Sequence, residues 1–140
     1  MSVVVAHQVS PTGTLALSHG AREATLRRTN LMVVHVVESL DPDQDEARRA
    51  GLSDEIVKIV EQGGYADLAW DVHLGTGVED VPGTVVELAD QFDAELLVIG
   101  ARRRSPLGKF LLGSAAQSII LDANVPVLVV KDKAEPAELE

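Results

Sequence analysis

A chain of 140 residues, 46% of them hydrophobic and only 3% aromatic, suits a single domain with one aliphatic core. Its net charge of -10 argues against nucleic acid as a partner, since nucleic-acid binding needs a basic face or stacking aromatics. Absence of cysteine excludes disulfides and thiolate metal sites, and no apolar run approaches the ~20 residues of a membrane span. With no recognisable secretion signal at its start, we expect a cytoplasmic protein.

The first third of the chain predicts a strand, a helix and a second strand. The run VVVAH (3–7) is too short for a helix and apolar on both faces, as in a central strand of a parallel sheet. Ser10 and Pro11 provide an N-cap and a first-turn proline for the helix that follows. A second buried strand is predicted at 31–37. The apolar positions of the helix are Leu17, Ala21 and Ala24.

An acidic segment separates the second strand from a second helix. Its carboxylates alternate, but the segment lacks the glycine and the final glutamate of an EF-hand calcium loop, so a solvated turn is expected. The helix is predicted from about 44 to 62 and ends at Gly63 and Gly64. The acidic residues are Asp41, Asp43, Asp45 and Glu46, and the buried face of the helix carries Leu52, Ile56, Ile59 and Val60.

The second half of the chain continues the alternation. Residues 66–75 alternate between apolar and polar side chains, which predicts an edge strand, and a third helix carries Val85, Leu88, Ala89 and Phe92. The run at 95–100 predicts a buried strand. Ser114 and Gln117 have the spacing of a capping box for a fourth helix, with Ala116, Ile119, Ile120 and Ala123 on its buried face. The last strand is predicted at 125–130, with Pro126 where no backbone donor is needed.

Five strands that alternate with four helices predict a three-layer, doubly wound α/β fold of the flavodoxin-like type, with a parallel sheet in the order 3-2-1-4-5. One domain is expected over 1–133, followed by an acidic flexible tail at 134–140. Ligands of such sheets bind beyond the carboxyl ends of the strands, where the winding reverses. In the predicted order the winding reverses between strands one and four, so a ligand is expected at their carboxyl ends.

The loop after strand four gathers cations in an acidic chain. The segment GARRRSPLGKFLLGSAAQ (100–117) contains Arg102, Arg103, Arg104 and Lys109. Gly113 and Ser114 open the fourth helix, whose unpaired backbone N–H groups and positive dipole end favour an anion. A solvated basic loop, with Ser114 serving only as a helix cap, is the alternative.

The segment GARRRSPLGKFLLGSAAQSIILDANVPVLVV resembles the carboxyl-terminal half of universal stress proteins, and the likeness extends to LMVVHVVES, GTVVELADQFDAELLVIG and VPVLVV. Nucleotide-binding members of that family carry G-x2-G-x9-G-[ST] at this place. The resemblance implies ATP, which Mg²⁺ can accompany, beside strands one, two and four. It also implies a homodimer formed through the last strand, at Val125, Val127 and Val129.

The family motif transfers to individual residues in this chain. Gly100, Gly113 and Ser114 match it, and Ala115 follows as a backbone contact. Val36 matches the position whose backbone reads the adenine edge, and Ala6, His7 and Gln8 match the end of strand one. Two positions depart from the family: Arg103, with Arg102 before it, stands at the second glycine, and Gln8 replaces an acidic residue. An arginine can supply bidentate phosphate contacts and an amide can bond adenine or ribose.

The four histidines show no ligand spacing of a metal site, and His35 is interpreted as a satisfied polar group within the sheet. Three classes of function are compatible with these patterns. A nucleotide-binding module is the first, and an interaction protein of the same fold without nucleotide is the second. An enzyme, either an ATPase or a phosphoacceptor, is the third, but the strand ends lack the aspartate of a phosphoacceptor and no catalytic residue is predicted.

Overall fold

The computed structural model describes residues 1–7, 11–101 and 112–131. It contains five parallel strands in one sheet, in the order β3-β2-β1-β4-β5. This confirms the predicted α/β class, the parallel sheet and the strand order. The strands are β1 (Ser2–Ala6), β2 (Asn30–Val37), β3 (Trp70–Thr76), β4 (Ala94–Ala101) and β5 (Val127–Lys131).

Helices cover both faces of the sheet. One face carries α1 (Pro11–Leu26) and α2 (Pro42–Gly63), and the other carries α3 (Val81–Gln91) and α4 (Ser114–Asp122). A short 3-10 helix, Val78–Asp80, precedes α3. Within the described ranges, none of these helices has the length and apolarity needed to cross a membrane.

The core has two halves, one on each side of the sheet. Val3 and Val5 of β1 face α1 and α2, whereas Val4 faces α3 and α4, and all three are fully buried. Successive side chains of a strand point to opposite faces, so a central strand with a helix layer on each side must be apolar at every position. The unbroken valine run of β1 therefore places it at the centre of the sheet.

The acidic segment was predicted as a solvated turn, and this is wrong. Asp41 is the N-cap of α2, and its side chain accepts a hydrogen bond from the Asp43 backbone N–H. Pro42 occupies the first helical position, so the helix begins two residues earlier than predicted. Asp45 lies in the first turn, is 9% exposed and accepts from the Asp41 backbone N–H at 2.9 Å. The helix ends as predicted, with Gly64 in the left-handed region at φ 74°.

Two strand starts also differ from the prediction. Strand β3 begins at Trp70 rather than at residue 66, because the preceding residues form a turn closed by a bond from Leu68 N to Tyr65 O. Strand β5 begins at Val127, so Val125 precedes it. Pro126 lies just before the strand, where its carbonyl accepts from Leu97 N at 3.0 Å and no donor is required, as predicted.

Helix α4 buries a narrower face than its sequence predicts. Ile119 is buried and Ala116 and Ala123 pack against the same core half, but Ile120 is 37% exposed. Because neighbouring helical residues are rotated by about 100°, a nine-residue helix in contact along Ile119 leaves Ile120 at its flank.

Candidate functional site

A cavity of about 430 Å³ opens at the carboxyl ends of β1, β2 and β4. Strands β1 and β4 are neighbours in the sheet although two strands and three α-helices separate them in sequence. The winding of the sheet reverses between them, and this is where ligands of doubly wound folds bind. The cavity floor is formed by Ala6, His7, Val34, Val36, Ile99 and Gly100, and its helical wall by Val81, Val85, Ala115, Ala116 and Ile119.

The structure brings together five of the ten predicted site residues. Ala6, His7, Val36, Gly100 and Ala115 all line the cavity. The predicted Gly113 and Ser114 directly precede Ala115, at the start of α4. The predicted contacts Gln8, Arg102 and Arg103 lie outside the described residues.

The amino terminus of α4 meets this cavity. Gly113 is the N-cap, so Ser114 is the first helical residue and the predicted capping box is wrong. The Gln117 side chain instead donates to Leu112 O at 2.9 Å, and Gln117 N makes the first helical bond, to Gly113 O. The N–H groups of Ser114, Ala115 and Ala116 have no carbonyl partner within the helix. They and the helix dipole form a site for negative charge at the cavity wall.

Gly100 lies where a helix packs closely on β4. Strand β4 continues through Ala101, so no turn occurs at Gly100. A β-carbon at Gly100 would lie 2.4 Å from Thr12 Cγ2 of α1, which is too close for two carbon atoms. Glycine at this position lets the start of α1 pack directly on the end of β4.

A pair of histidines joins the cavity to the other helix layer. The His7 side chain is 2% exposed, and its Nε2 lies 3.2 Å from Glu55 Oε2 of α2. His7 Nδ1 lies 3.3 Å from His35 Nδ1, which is also 3.2 Å from the His7 carbonyl oxygen. His35 lines the cavity as well. Its predicted role as a satisfied polar group is confirmed for Nδ1.

Burial lowers the pKa of His7, and the nearby Glu55 carboxylate opposes this shift without reversing it. A group with a lowered pKa is more readily protonated in the unfolded chain, so the neutral form stabilises the fold above about pH 6.5. We expect the free energy of unfolding to fall on acidification from pH 7 to pH 5. Urea titrations at several pH values across this range measure how steeply the free energy of unfolding depends on pH. This dependence should be weaker in a His7→Val variant and unchanged in His19→Asn, a control on the exposed surface of α1.

Two polar residues of this region were not predicted as site residues. His35 falls inside an apolar strand and was interpreted as structural. Glu55 is far from the strand ends in sequence. The only sequence feature that could have pointed to it is its position three residues after Leu52, beside the buried face of α2. Within the described part of the chain, no cluster of three or more His, Asp or Glu side chains is arranged to hold a metal ion.

The universal stress protein family model matches residues 1–131. The chain belongs to the universal stress protein family. A universal stress protein of Mycolicibacterium smegmatis is 35% identical over 129 residues, which cover 92% of this chain and 96% of that protein.

Solved universal stress protein structures share the fold. The structure of a universal stress protein from Archaeoglobus fulgidus superposes with a TM-score of 0.76 at 34% identity, over 94% of this chain and 98% of that one. The structure of the universal stress protein from Archaeoglobus fulgidus in complex with dAMP gives a TM-score of 0.73 at 32% identity, with the same coverage.

Proposed function

We propose that this universal stress protein binds an adenine nucleotide, with ATP as the first candidate, in the cavity between β1, β4 and α4. The observation that carries the proposal is geometric. The cavity meets the N–H groups of α4 that have no partner within the helix, at the point where the sheet winding reverses. The described residues that line the cavity include no carboxylate, so no negatively charged side chain among them repels a phosphate group.

The relative from Archaeoglobus fulgidus, solved in complex with dAMP, supports an adenine nucleotide as the ligand. In this proposal, Gly113, Ser114 and Ala115 contact the phosphates through the start of α4. Val36, Ala6 and His7 surround the nucleoside, as their positions on the cavity floor allow. Gln8, Arg102 and Arg103 complete the site.

We propose a regulatory binding module in the cytoplasm rather than an enzyme. The described residues of the site can hold an anion, and no catalytic arrangement for hydrolysis is present among them. An interaction protein without nucleotide is the competing function. It is favoured by the departures at Arg103 and Gln8, and the titration below separates the two.

Calorimetric titration with ATP, with and without Mg²⁺, tests the proposed function. We expect a micromolar dissociation constant that Ser114→Ala or Gly113→Ala weakens several-fold, because each changes the helix start that holds the phosphates. Ser18→Ala, at an exposed serine of α1, is the matched control and should bind as the wild type does. Absence of binding heat, together with no nucleotide in the mass spectrum of the gently purified protein, would favour the interaction protein.

Arg103, which stands at the second glycine position of the motif, is tested by a separate substitution. If Arg103 is a phosphate ligand, Arg103→Gly abolishes ATP binding. If it obstructs the site, the same change strengthens binding. Either result assigns its role.

A second proposal concerns self-association. Strand β5 is an edge strand, paired only with β4 among the described strands, and Val127 and Val129 are half-buried on the α3–α4 side. An unpaired edge invites a second copy to pair with it. We propose a homodimer through Val125, Val127 and Val129.

Val129→Lys should convert the dimer to a monomer in sedimentation equilibrium, because a charge at the centre of the paired strand opposes burial. Val57→Lys, at a 40% exposed position of α2, is the control and should leave the dimer intact. A Val129→Lys protein that stays dimeric would overturn this interface.

A further inference from the structure

The two edges of the sheet differ in how their outward backbone groups are covered. In the part of the chain that the structure describes, β3 pairs only with β2 and β5 pairs only with β4. Alternate residues of a strand in a parallel pair direct both N–H and C=O toward the neighbouring strand, and the residues between them direct both groups outward. A further strand can join an edge only through these outward groups.

The backbone of Val72 faces outward from β3. Leu31 N of β2 donates to Ala69 O at 2.9 Å, and Leu31 lies opposite Trp70. This register turns the backbone groups of the odd-numbered residues of β3 toward β2 and those of the even-numbered residues outward. Val72 is therefore an outward position in the interior of this edge strand.

Side chains occupy both outward groups of Val72. Its N–H donates to Asp71 Oδ1 at 2.7 Å, and its carbonyl oxygen accepts from Arg49 Nη1 of α2 at 3.1 Å. The Val72 side chain packs in the core half on the α1–α2 side, so the Asp71 side chain starts from the opposite face of the sheet. Two charged side chains thus reach the edge from opposite faces.

The corresponding groups of β5 have no such cover. Leu97 N donates to Pro126 O, and Leu97 lies opposite Val127, so Val127 and Val129 are the outward residues at this edge. Among the described side chains, none forms a hydrogen bond with the backbone of Val127 or Val129. The outward groups of β5 are therefore more available for pairing than those at the centre of β3.

We propose that Arg49 and Asp71 close the β3 edge against pairing with a second copy of this chain, so that association by strand pairing is confined to β5. A second copy is the excluded partner because two β3 edges related by a two-fold axis present the same outward groups to each other. Their pairing would have to replace two hydrogen bonds to charged side chains, which are stronger than neutral ones.

This closure limits the size of an assembly. A dimer joined through β5 would carry a β3 edge at each end of its continuous sheet, and two open ends would let dimers add to one another without limit. Closed β3 edges stop the sheet at two copies. The closure is independent of nucleotide binding, and it applies equally to a chain that remains a monomer.

Sedimentation velocity of Arg49→Ala/Asp71→Ala over a range of protein concentrations tests the closure. The double variant removes both side-chain partners of Val72 and adds no large apolar group, and its net charge is that of the wild type because one positive and one negative side chain are lost. We expect its mass to rise with concentration to about twice the wild-type mass or more, through pairing of β3 edges.

The matched control is Arg48→Ala/Asp71→Asn. Arg48 lies beside Arg49 and pairs with Asp45 of its own helix at 3.5 Å. This control makes the same two changes of charge but keeps Arg49 and an oxygen acceptor at position 71, so both bonds to Val72 can form. It should keep the wild-type mass at every concentration.

Amide hydrogen exchange identifies the surface that associates. In Arg49→Ala/Asp71→Ala, the Val72 N–H should exchange roughly tenfold or more slowly once the protein associates than it does at low concentration. In the wild type its exchange rate should not depend on concentration. An associated double variant whose Val72 N–H stays unprotected would place the contact elsewhere and overturn the proposal.

Thermal denaturation separates closure of the edge from anchoring of α2. The Arg49 bond also ties α2 to β3, and a purely anchoring role predicts a lower melting temperature with no change in mass. A folded double variant that keeps the wild-type mass at every concentration overturns the proposal. If the double variant does not fold, Arg49→Ala and Asp71→Ala are measured singly, since each frees one outward group, and wild-type mass in both overturns it as well.

Discussion

Replacing Ala115 by glutamate is expected to weaken ATP binding at least tenfold while leaving the protein folded. Ala115 is exposed in the first turn of α4 and lines the cavity. A carboxylate there would stand among the N–H groups proposed to hold the phosphates and would repel the phosphates. A negative charge in the first turn of a helix is itself stabilising, so the melting temperature should not fall. Calorimetry and thermal denaturation measure the two effects.

Ala115→Gln is the control for size, because it has the same shape without the charge. It should cost clearly less affinity than Ala115→Glu, and the difference should shrink at high salt. If both variants bind ATP as tightly as the wild type does, the phosphates do not lie at the start of α4. If both lose binding equally, the loss comes from steric blocking rather than from charge.

Gly20→Ala is expected to destabilise the fold by about 1–3 kcal/mol through overpacking. Gly20 is a buried residue of α1, and a β-carbon on it would lie 2.3 Å from Val5 Cγ2 and 3.3 Å from Leu31 Cδ1. Val5 and Leu31 are almost completely buried in neighbouring strands, so neither can move away freely. This effect outweighs the gain in helix propensity that alanine brings.

Gly51→Ala is the matched comparison, since Gly51 is exposed in α2 and nothing lies within 4 Å of an added β-carbon. It should stabilise the protein by up to about 1 kcal/mol through helix propensity alone. Urea unfolding of the two variants should therefore shift in opposite directions. A Gly20→Ala protein as stable as the wild type would contradict the close packing of α1 on β1.

Much of the fold could be predicted because a strand that is buried on both faces appears in the sequence as an unbroken apolar run. The apolar runs at 3–7 and 95–100 predicted two interior strands, and the alternation around Val72 and Leu74 predicted an edge strand. Boundaries were harder, because local hydrogen bonding decides them. Asp41 and Pro42 are typical of a turn as well as of a helix start, and their helical role depends on Asp43 and Asp45 completing the first turn.

The site was predictable in part for the same reason. Ala6, Val36 and Gly100 lie at the carboxyl ends of predicted strands, which parallel pairing brings to one edge of the sheet. Glu55 approaches that edge through the packing of α2 against α1, which depends on side-chain fit and not on a local pattern. His35 falls inside an apolar strand, and its contact with His7 depends on the pairing of β1 with β2.

The most direct test of nucleotide binding is a crystal structure of the protein soaked with ATP. The proposal predicts density for the phosphates within hydrogen-bond distance of the backbone N–H groups of Ser114 and Ala115, and for the nucleoside beside Val36 and His35. Ordered water alone in this cavity at an ATP concentration well above micromolar, or ATP bound elsewhere on the surface, would contradict it.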